Sequence, residues 1–357
     1  MNHIIASVAA HGAAVKEFQI RSKDGAPLPD WQPGAHIVLR FRGADGSAFE
    51  NHYSLVGAPG AAEVYRIAVQ REEHGKGGSR CLHDEFGPGS EVQVSGPFNS
   101  FPLQAPAPLP AGAAAATGAA AVPADAAAAS QAAAEAAAAN PAAAEAKAVG
   151  PRVLLIAGGI GITPLVSMAH ALAAQQRPFE LHYLARSADR LVLLDELRAL
   201  PQATIWLHVS QEGRHADLEA LLGTHRAGDN FYACGPAALL QILAETGARQ
   251  GWPAAAMHVE SFGPRAQQND APLTVELSLS QMTIEVPPGT PILEALIAAD
   301  VFVSYECKRG ECGSCYTPVL EGQPLHRDVC LTPAMRSAGM CTCVSWAAAP
   351  GRLVLEL

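Results

Sequence analysis

Through the first hundred positions apolar and polar residues alternate in short runs, AHIVLRF at 35–41, HYSLV at 52–56 and VYRIAVQ at 64–70, separated by Gly, Pro and Asp. A period of two with turn residues between runs predicts antiparallel strands, so residues 1–102 are expected to form an all-β barrel or sandwich. From residue 151 the pattern changes. Apolar runs such as RVLLIA (152–157), FELHYLA (179–185), ATIWLHV (203–209) and DNFYACG (229–235) alternate with helical stretches such as PLVSMAHALAAQ (164–175) and PAALLQILAETGA (236–248). Strict alternation of strand and helix predicts a parallel sheet with crossover helices over 151–265. A polar, turn-rich linker at 266–271 then leads to LTVELSLSQMTIEV (273–286), a hairpin pattern, and to the helical PILEALIAAD (291–300), which place a small α+β unit at 272–357.

Residues 103–150 fit none of these patterns. The tract is Ala, Pro, Gly and a few Glu, with no aromatic side chain and hardly any large aliphatic one, so it cannot bury enough surface to offset its ordering entropy. Runs such as AAAEAAAA favour helix, but Pro106, Pro108, Pro110, Pro123 and Pro141 cut them short. A low-complexity linker is expected there.

Composition removes several classes of function. A net charge of -10 and a pI near 5.7 argue against a nucleic-acid partner, whose phosphates are held by Lys and Arg. The N-terminus has no basic segment ahead of a long apolar run, and the stretch 111–139 is Ala interrupted by Pro and acidic residues, so neither a signal peptide nor a membrane span is expected. A soluble cytoplasmic protein follows, and in that reducing setting eight cysteines point to metal ligation before disulfides.

Three of those cysteines stand in ECKRGECGSC, residues 306–315. Cys307, Cys312 and Cys315 have the C-x4-C-x2-C spacing of plant-type [2Fe-2S] sites, in which a tight loop supplies three thiolates and a distant segment supplies the fourth. Gly310 and Gly313 let the backbone curl and aim N–H groups at sulfur. Zinc sites favour paired C-x2-C knuckles and fit less well. For the fourth ligand MCTCVSW offers Cys341 and Cys343, two apart on a strand-like stretch, and spacing does not choose between them.

A one-electron cluster needs a donor. In LLIAGGIGITPL (154–165) a strand runs into Gly158, Gly159 and Gly161 and then into a helix opened by Thr163 and Pro164. Such a turn admits a pyrophosphate close to the backbone at a helix N-terminus. FYACGP (231–236), with Cys234, Gly235 and Pro236, ends a second strand at the same expected edge. Nicotinamide gives two electrons at once and a cluster accepts one, so a flavin is required between them. The first block offers Tyr53 and Ser54 for the flavin ring and ribityl chain. Gly77, Gly78 and Ser79, with Lys76 and Arg80 nearby, offer a seat for its phosphate.

With these stretches in hand, the chain resembles the reductase components of Rieske oxygenases of the phthalate dioxygenase reductase and vanillate demethylase reductase type. The resemblance runs through HYSL, YRIAVQRE, GKGGSR, SGPFNSFPL, LLIAGGIGITPLVSMA, YACGP, HVESFG, CKRGECGSC, HRDVCLTP and RLVLEL, and omits only the Ala-rich tract. It implies the order flavin barrel, NAD domain, β-grasp ferredoxin domain, with FMN as the flavin and NADH as the donor. It assigns the fourth cluster ligand to Cys343 and leaves Cys341 as an extra. It adds His52, Ala68 and Val69 to the flavin site, and sets Thr163, Cys234 and Phe262 around hydride transfer, with no general acid or base. Two features depart from the family: Asn51 stands where many members have an Arg on the flavin phosphate, and the tract 103–150 replaces a short connection. Arg186 and Ser187 fall where an adenine ribose lies, which leaves NADH against NADPH weakly determined.

The expected activity is transfer of electrons from NADH through FMN and a [2Fe-2S] cluster to a separate Rieske oxygenase, by a monomer. A reductase for another acceptor such as a cytochrome, and a non-catalytic flavin redox sensor, are the alternatives. Rapid NADH-driven reduction of an added one-electron acceptor separates both enzymes from the sensor. Because the Ala-rich tract carries no motif and no core, replacing residues 106–147 by a short Gly/Ser connector is expected to leave that reduction rate within a few-fold of the parent. A large loss of flavin or of rate would show that the tract packs on the domains.

Overall fold

A computed structural model describes residues 2–73, 77–105, 150–262, 270–348 and 351–357. Most of the Ala-rich tract, Lys76 and most of the linker lie outside them.

The first domain contains β1 (Asn2–His11), β2 (Val15–Ser22), β3 (Leu28–Trp31), β4 (His36–Arg42), β5 (Ala48–Ser54), β6 (Gly60–Ala62), β7 (Tyr65–Gln70) and β8 (Glu91–Phe98). Six strands form one antiparallel sheet in the order β5-β4-β8-β1-β2-β7, and β3 pairs with β6. The alternation read in the sequence is the alternation of the pleat: Ile37, Leu39 and Phe41 of β4 and Tyr65, Ile67 and Val69 of β7 enter one core with Ile5, Phe18 and Ile20. Each such side chain, fully buried, contributes about 1.5–3 kcal/mol. The sheet wraps on its core as the barrel read from the sequence requires: no strand ladder joins β5 to β7, but just past β5 the Val56 N–H donates to the Arg66 carbonyl of β7 at 2.9 Å.

The second domain is a fully parallel sheet, in the order β11-β10-β9-β12-β13, of β9 (Val153–Gly158), β10 (Phe179–Ala185), β11 (Ala203–Val209), β12 (Asn230–Cys234) and β13 (Met257–Glu260). All six residues of β9 are buried, as a central parallel strand covered on both faces requires. The chain leaves β9 toward β10 and later returns to its other side as β12, so the sheet changes winding direction between β9 and β12, where α/β sheets open a ligand crevice.

The third domain is a mixed sheet, in the order β15-β14-β20-β16-β18, of β14 (Leu273–Leu277), β15 (Met282–Val286), β16 (Tyr316–Glu321), β18 (Gly339–Cys341) and β20 (Arg352–Leu355). The helix Ile292–Ala298 packs on it through Ile292, Leu293 and Leu296, and β17 (Pro324–Leu325) pairs with β19 (Trp346–Ala347) beside it. No helix among the described residues is long and apolar enough to cross a membrane.

One apolar cluster joins the first two domains, with Val15, Val56, Ala68 and Phe101 packed among Leu155, Ile162, Leu165 and Tyr232. The N–H of Gln104, at the described start of the Ala-rich tract, donates to the Tyr232 hydroxyl at 2.9 Å. Arg66 of β7 bridges the same seam: its guanidinium donates to both carboxylate oxygens of Glu17 (2.8 and 3.0 Å) and of Glu196 (3.1 and 2.9 Å) in the second domain. Burial works against the Glu196 charge, yet hydrogen bonds from His170 and Arg66 hold its pKa down at about 2. A carboxylate depressed from 4.5 to about 2 stabilises the fold fully above its unfolded value and loses that contribution as pH falls toward the folded one. Arg66→Met is therefore expected to lower stability by about 2 kcal/mol at pH 7 in urea unfolding, and the gap to the parent should shrink as pH approaches 2. A gap that stays constant with pH would show that the bridge does not link these domains.

Candidate functional site

The carboxyl ends of β9 and β12 meet through glycine. A methyl group on Gly235 would stand 3.0 Å from the Gly158 Cα, one on Gly158 would stand 2.7 Å from Pro236 Cδ, and one on Gly161 would stand 2.2 Å from the Cys234 carbonyl oxygen. Gly159 has a different reason to be glycine: its φ is +58° and its outward side is open. These four residues floor a cleft of about 760 Å³ that Val15, Gln70 and Glu72 of the first domain and Phe262 also line. Just beyond the glycines begins the helix Ile162–Ala174, with no side-chain cap on its first N–H groups. Backbone donors and an open wall suit a pyrophosphate. The far end of the cleft is cationic, with Arg186, Arg190 and Arg214 beside Ser210 and His215. Ser187 is not on the cleft wall; its carbonyl accepts from the Arg190 N–H at 3.1 Å.

Of the residues expected around hydride transfer, Phe262 faces the cleft, whereas Thr163 and Cys234 lie behind its backbone, 3% and 0% exposed. Pro164 is likewise buried in the first turn of the helix. The Thr163 hydroxyl donates to the Ile160 carbonyl at 3.1 Å and so ties the glycine turn to the helix. Burial, then the charges of Glu260 and Glu311, push the Cys234 thiol well up, so it stays protonated.

The expected flavin residues converge near Gly77 and Gly78. Asn51 and Tyr53 share a face of β5, and the Asn51 amide donates to the Tyr53 hydroxyl at 2.9 Å. A methyl on Gly78 would stand 2.5 Å from that amide nitrogen. Gly77, at φ +94°, starts the helix Gly78–Glu85 without a side-chain cap, while the Ser79 hydroxyl accepts from the Glu72 N–H at 3.0 Å. An uncapped helix start in a glycine cradle fits a flavin phosphate, and the exposed Arg80 stands 3.6 Å from the Gly77 Cβ position. Ser54 is buried at the end of β5. Ala68 and Val69 point their side chains into cores, so only their backbone on β7 is left to meet a ligand; the Val69 carbonyl lies 2.8 Å from His83 Nε2. His52 is exposed on the opposite face of β5 and stacks on His36 at 5.3 Å between ring centroids. Burial, then the charge of Arg309, hold His36 neutral at about 4.

The cysteines gather into a pair and a group of three. Cys307 and Cys312 hydrogen-bond to each other, and Cys315 takes thiol hydrogen bonds from Cys341 and Cys343, which hold it down at about 3. A two-iron cluster takes two thiolates per iron. Backbone N–H groups turn toward sulfur: that of Arg309 donates to Cys307 Sγ at 3.3 Å, that of Ser314 to Cys312 Sγ at 3.5 Å, and that of Gly310 to Cys343. Lys308, Gly310 and Gly313 have φ of +54°, +74° and +76°, and a methyl on Gly310 would stand 2.6 Å from Val344 Cγ2. Cys343 does not share a strand with Cys341, because β18 ends at Cys341 and a turn carries Cys343 over to the loop. Cys341, fully buried, lies 3.8 Å from Cys330 Sγ.

Not anticipated from sequence were Ser100, Glu260, Arg309 and Glu311, which meet where the three domains adjoin. The available signal was the pair of opposite charges around Gly310, in positions that the cysteine spacing leaves free.

Two family models match the chain: a 2Fe-2S iron-sulfur cluster binding domain over residues 275–348 and an oxidoreductase NAD-binding domain over 155–245. The carnitine monooxygenase reductase subunit of Acinetobacter pittii is 30% identical, over 96% of this chain and 98% of its own. The vanillate O-demethylase oxidoreductase of a Pseudomonas species is 31% identical, over 88% and 86%. Among solved structures, phthalate dioxygenase reductase, described as a modular structure for electron transfer from pyridine nucleotides to [2Fe-2S], aligns at a TM-score of 0.67 with 30% identity, over 100% of this chain and 98% of that one.

The glycine floor yields a graded prediction. Gly161→Ala drives a methyl into the Cys234 carbonyl and should raise the KM for NADH about tenfold, with flavin and iron content unchanged. Gly251→Asn, in open space away from the cleft at a left-handed φ that Asn tolerates, should change it by about twofold or less. Equal effects of the two substitutions would exclude the close approach of β9 and β12 as the cause.

Proposed function

The chain belongs to the family of NADH-dependent iron–sulfur flavoprotein reductases that serve oxygenases, and from that premise we propose which of its residues hold each redox group. FMN lies against Tyr53 and Ser54, with the backbone of Ala68 and Val69 along its ring and its phosphate at Gly77, Gly78 and Ser79. NADH spans Gly158, Gly159, Gly161, Gly235 and Pro236, and its nicotinamide reaches Phe262. Cys307, Cys312, Cys315 and Cys343 bind the [2Fe-2S] cluster. Together the bound groups supply the conversion of a two-electron hydride into single electrons.

The observation that carries this reading is the adjacency of cleft and cysteine loop: the N–H of Ser261, the residue before Phe262, donates to the carboxylate of Glu311 within the loop. The chain's own work is placement. Glycine floors the cleft so that backbone N–H groups reach a pyrophosphate, and the helix beginning at Ile162 adds its dipole. Asn51 lacks the charge of an Arg, so the flavin phosphate relies on the start of the helix Gly78–Glu85 and on Arg80. The neutral Cys234 adds no charge behind the glycine floor of the cleft. No side chain is required as a general acid or base. The acceptor is a Rieske oxygenase, a separate protein, and the working form is a cytoplasmic monomer, since one chain supplies every site.

The purified protein is expected to hold one FMN and two irons with labile sulfide. Cys343→Ser should lose most of the iron while NADH still bleaches the flavin, because a hydroxyl replaces a soft thiolate on iron. Cys341→Ser should keep both the visible absorption and the electron paramagnetic resonance signal of the reduced cluster. Zinc in place of iron would sink the reading, and the reverse pattern between the two cysteines would overturn the ligand set.

A further inference from the structure

Arg309 lies inside the cysteine loop, two residues after Cys307, and its side chain is only 13% exposed. Its guanidinium touches all three domains. Nη2 donates to the Ser100 hydroxyl of the first domain at 2.6 Å, Nη1 to Glu260 Oε1 of the second at 3.3 Å, and Nη2 lies 3.4 Å from Glu311 of its own loop. These partners sit at working points of the molecule: Glu260 ends β13 two residues before Phe262, and Ser100 follows β8, whose Phe98 packs on His36 at 5.9 Å between ring centroids. The Arg309 backbone N–H meanwhile donates to Cys307 Sγ, so whatever holds this side chain holds the backbone around the cluster.

We infer that Arg309 is a positioning residue that docks the iron–sulfur loop onto the seam of the flavin and nucleotide domains, and so sets the rate at which electrons cross into the cluster. The inference rests on the cofactor placement proposed above. Buried ion pairs are poor net stabilisers, because desolvation consumes most of their attraction, but their direction makes them good at fixing a register. Here two acidic side chains and a hydroxyl converge on one guanidinium, whose rigid planar fork fixes all three directions at once, where a Lys ammonium on its flexible stem holds them less firmly. Val329 also crosses the seam, packing on the cluster that includes Leu239 and Val259, but apolar contact holds area without orientation. Arg327 with Asp270, and Trp346 with the Ala271 carbonyl, tie the third domain to its own linker, so the directional contacts across the seam are those of Arg309 and the Ser261 N–H on Glu311, and of the two Arg309 alone also reaches the first domain. Bound flavin and cluster would supply the one-electron transfer, the electron pair coming from the NADH hydride and its proton going to solvent; Arg309 would act only by holding the loop in place for it.

The test is anaerobic stopped-flow of the holoprotein with NADH, following flavin bleaching and cluster reduction separately. In Arg309→Gln, flavin bleaching should match the parent, whereas cluster reduction should slow by at least about tenfold as the docked fraction falls. The radius of gyration from small-angle X-ray scattering should increase, while the reduced-cluster paramagnetic resonance signal keeps its shape. Arg309→Lys should recover part of the rate. Cluster reduction at the parental rate, or an unchanged radius of gyration, would overturn the inference. If Arg309→Gln loses its iron, Ser100→Ala decides, since it trims the dock from outside the loop: a drop of about fivefold supports docking and no change refutes it. Failure of NADH to bleach the parent's flavin would instead count against the cofactor placement.

Discussion

The contact between backbones at Gly158 and Gly235 is the constraint on which the rest of the molecule is arranged. With any side chain there, β9 and β12 would be forced apart at their carboxyl ends, where the parallel sheet changes winding direction and opens its cleft. The fully buried β9, the turn through Gly161 pressed on the Cys234 carbonyl and the helix starting at Ile162 all follow from that closeness. The first domain adds the opposite wall through Val15, Gln70 and Glu72, and an apolar cluster shared across the seam holds it there.

Charge is buried at the seams between domains. Arg66 joins Glu17 to Glu196 where the first two domains meet, and Arg309 joins Glu260 and Glu311 where the third meets both. The two junctions differ in electrostatics. Glu196 is held far down by its donors, whereas burial raises Glu260 to about 8 and Glu311 to about 6 despite the shared Arg309. Paired donors outweigh desolvation at the first junction and do not at the second, since one guanidinium there serves two acids. A relay that must hold three redox groups in sequence depends more on such directional contacts than on further core area.

Burial and chain direction separated residues that the sequence groups together. Thr163 and Cys234 are buried because the residues flanking a glycine floor must pack beneath it. Cys341 and Cys343 look equivalent in a strand-like stretch, yet β18 ends at Cys341, and the Gly310 N–H is aimed at Cys343.

By itself the sequence determined whatever depends on neighbours along the chain. The pleat period of β4 and β7, the glycines of the strand-to-helix turn, the cysteine spacing and the lack of core-forming residues in the Ala-rich tract are local, and each carries a conformational or ligating consequence that holds in any surroundings. The ordered run of motifs also identified the family. Only the tertiary structure decided that β18 ends before Cys343, and that Ser100, Glu260 and Arg309 meet, residues as much as 209 positions apart. Such meetings depend on how whole domains pack, and packing sums many weak contacts between distant segments, so no spacing within a single segment encodes them.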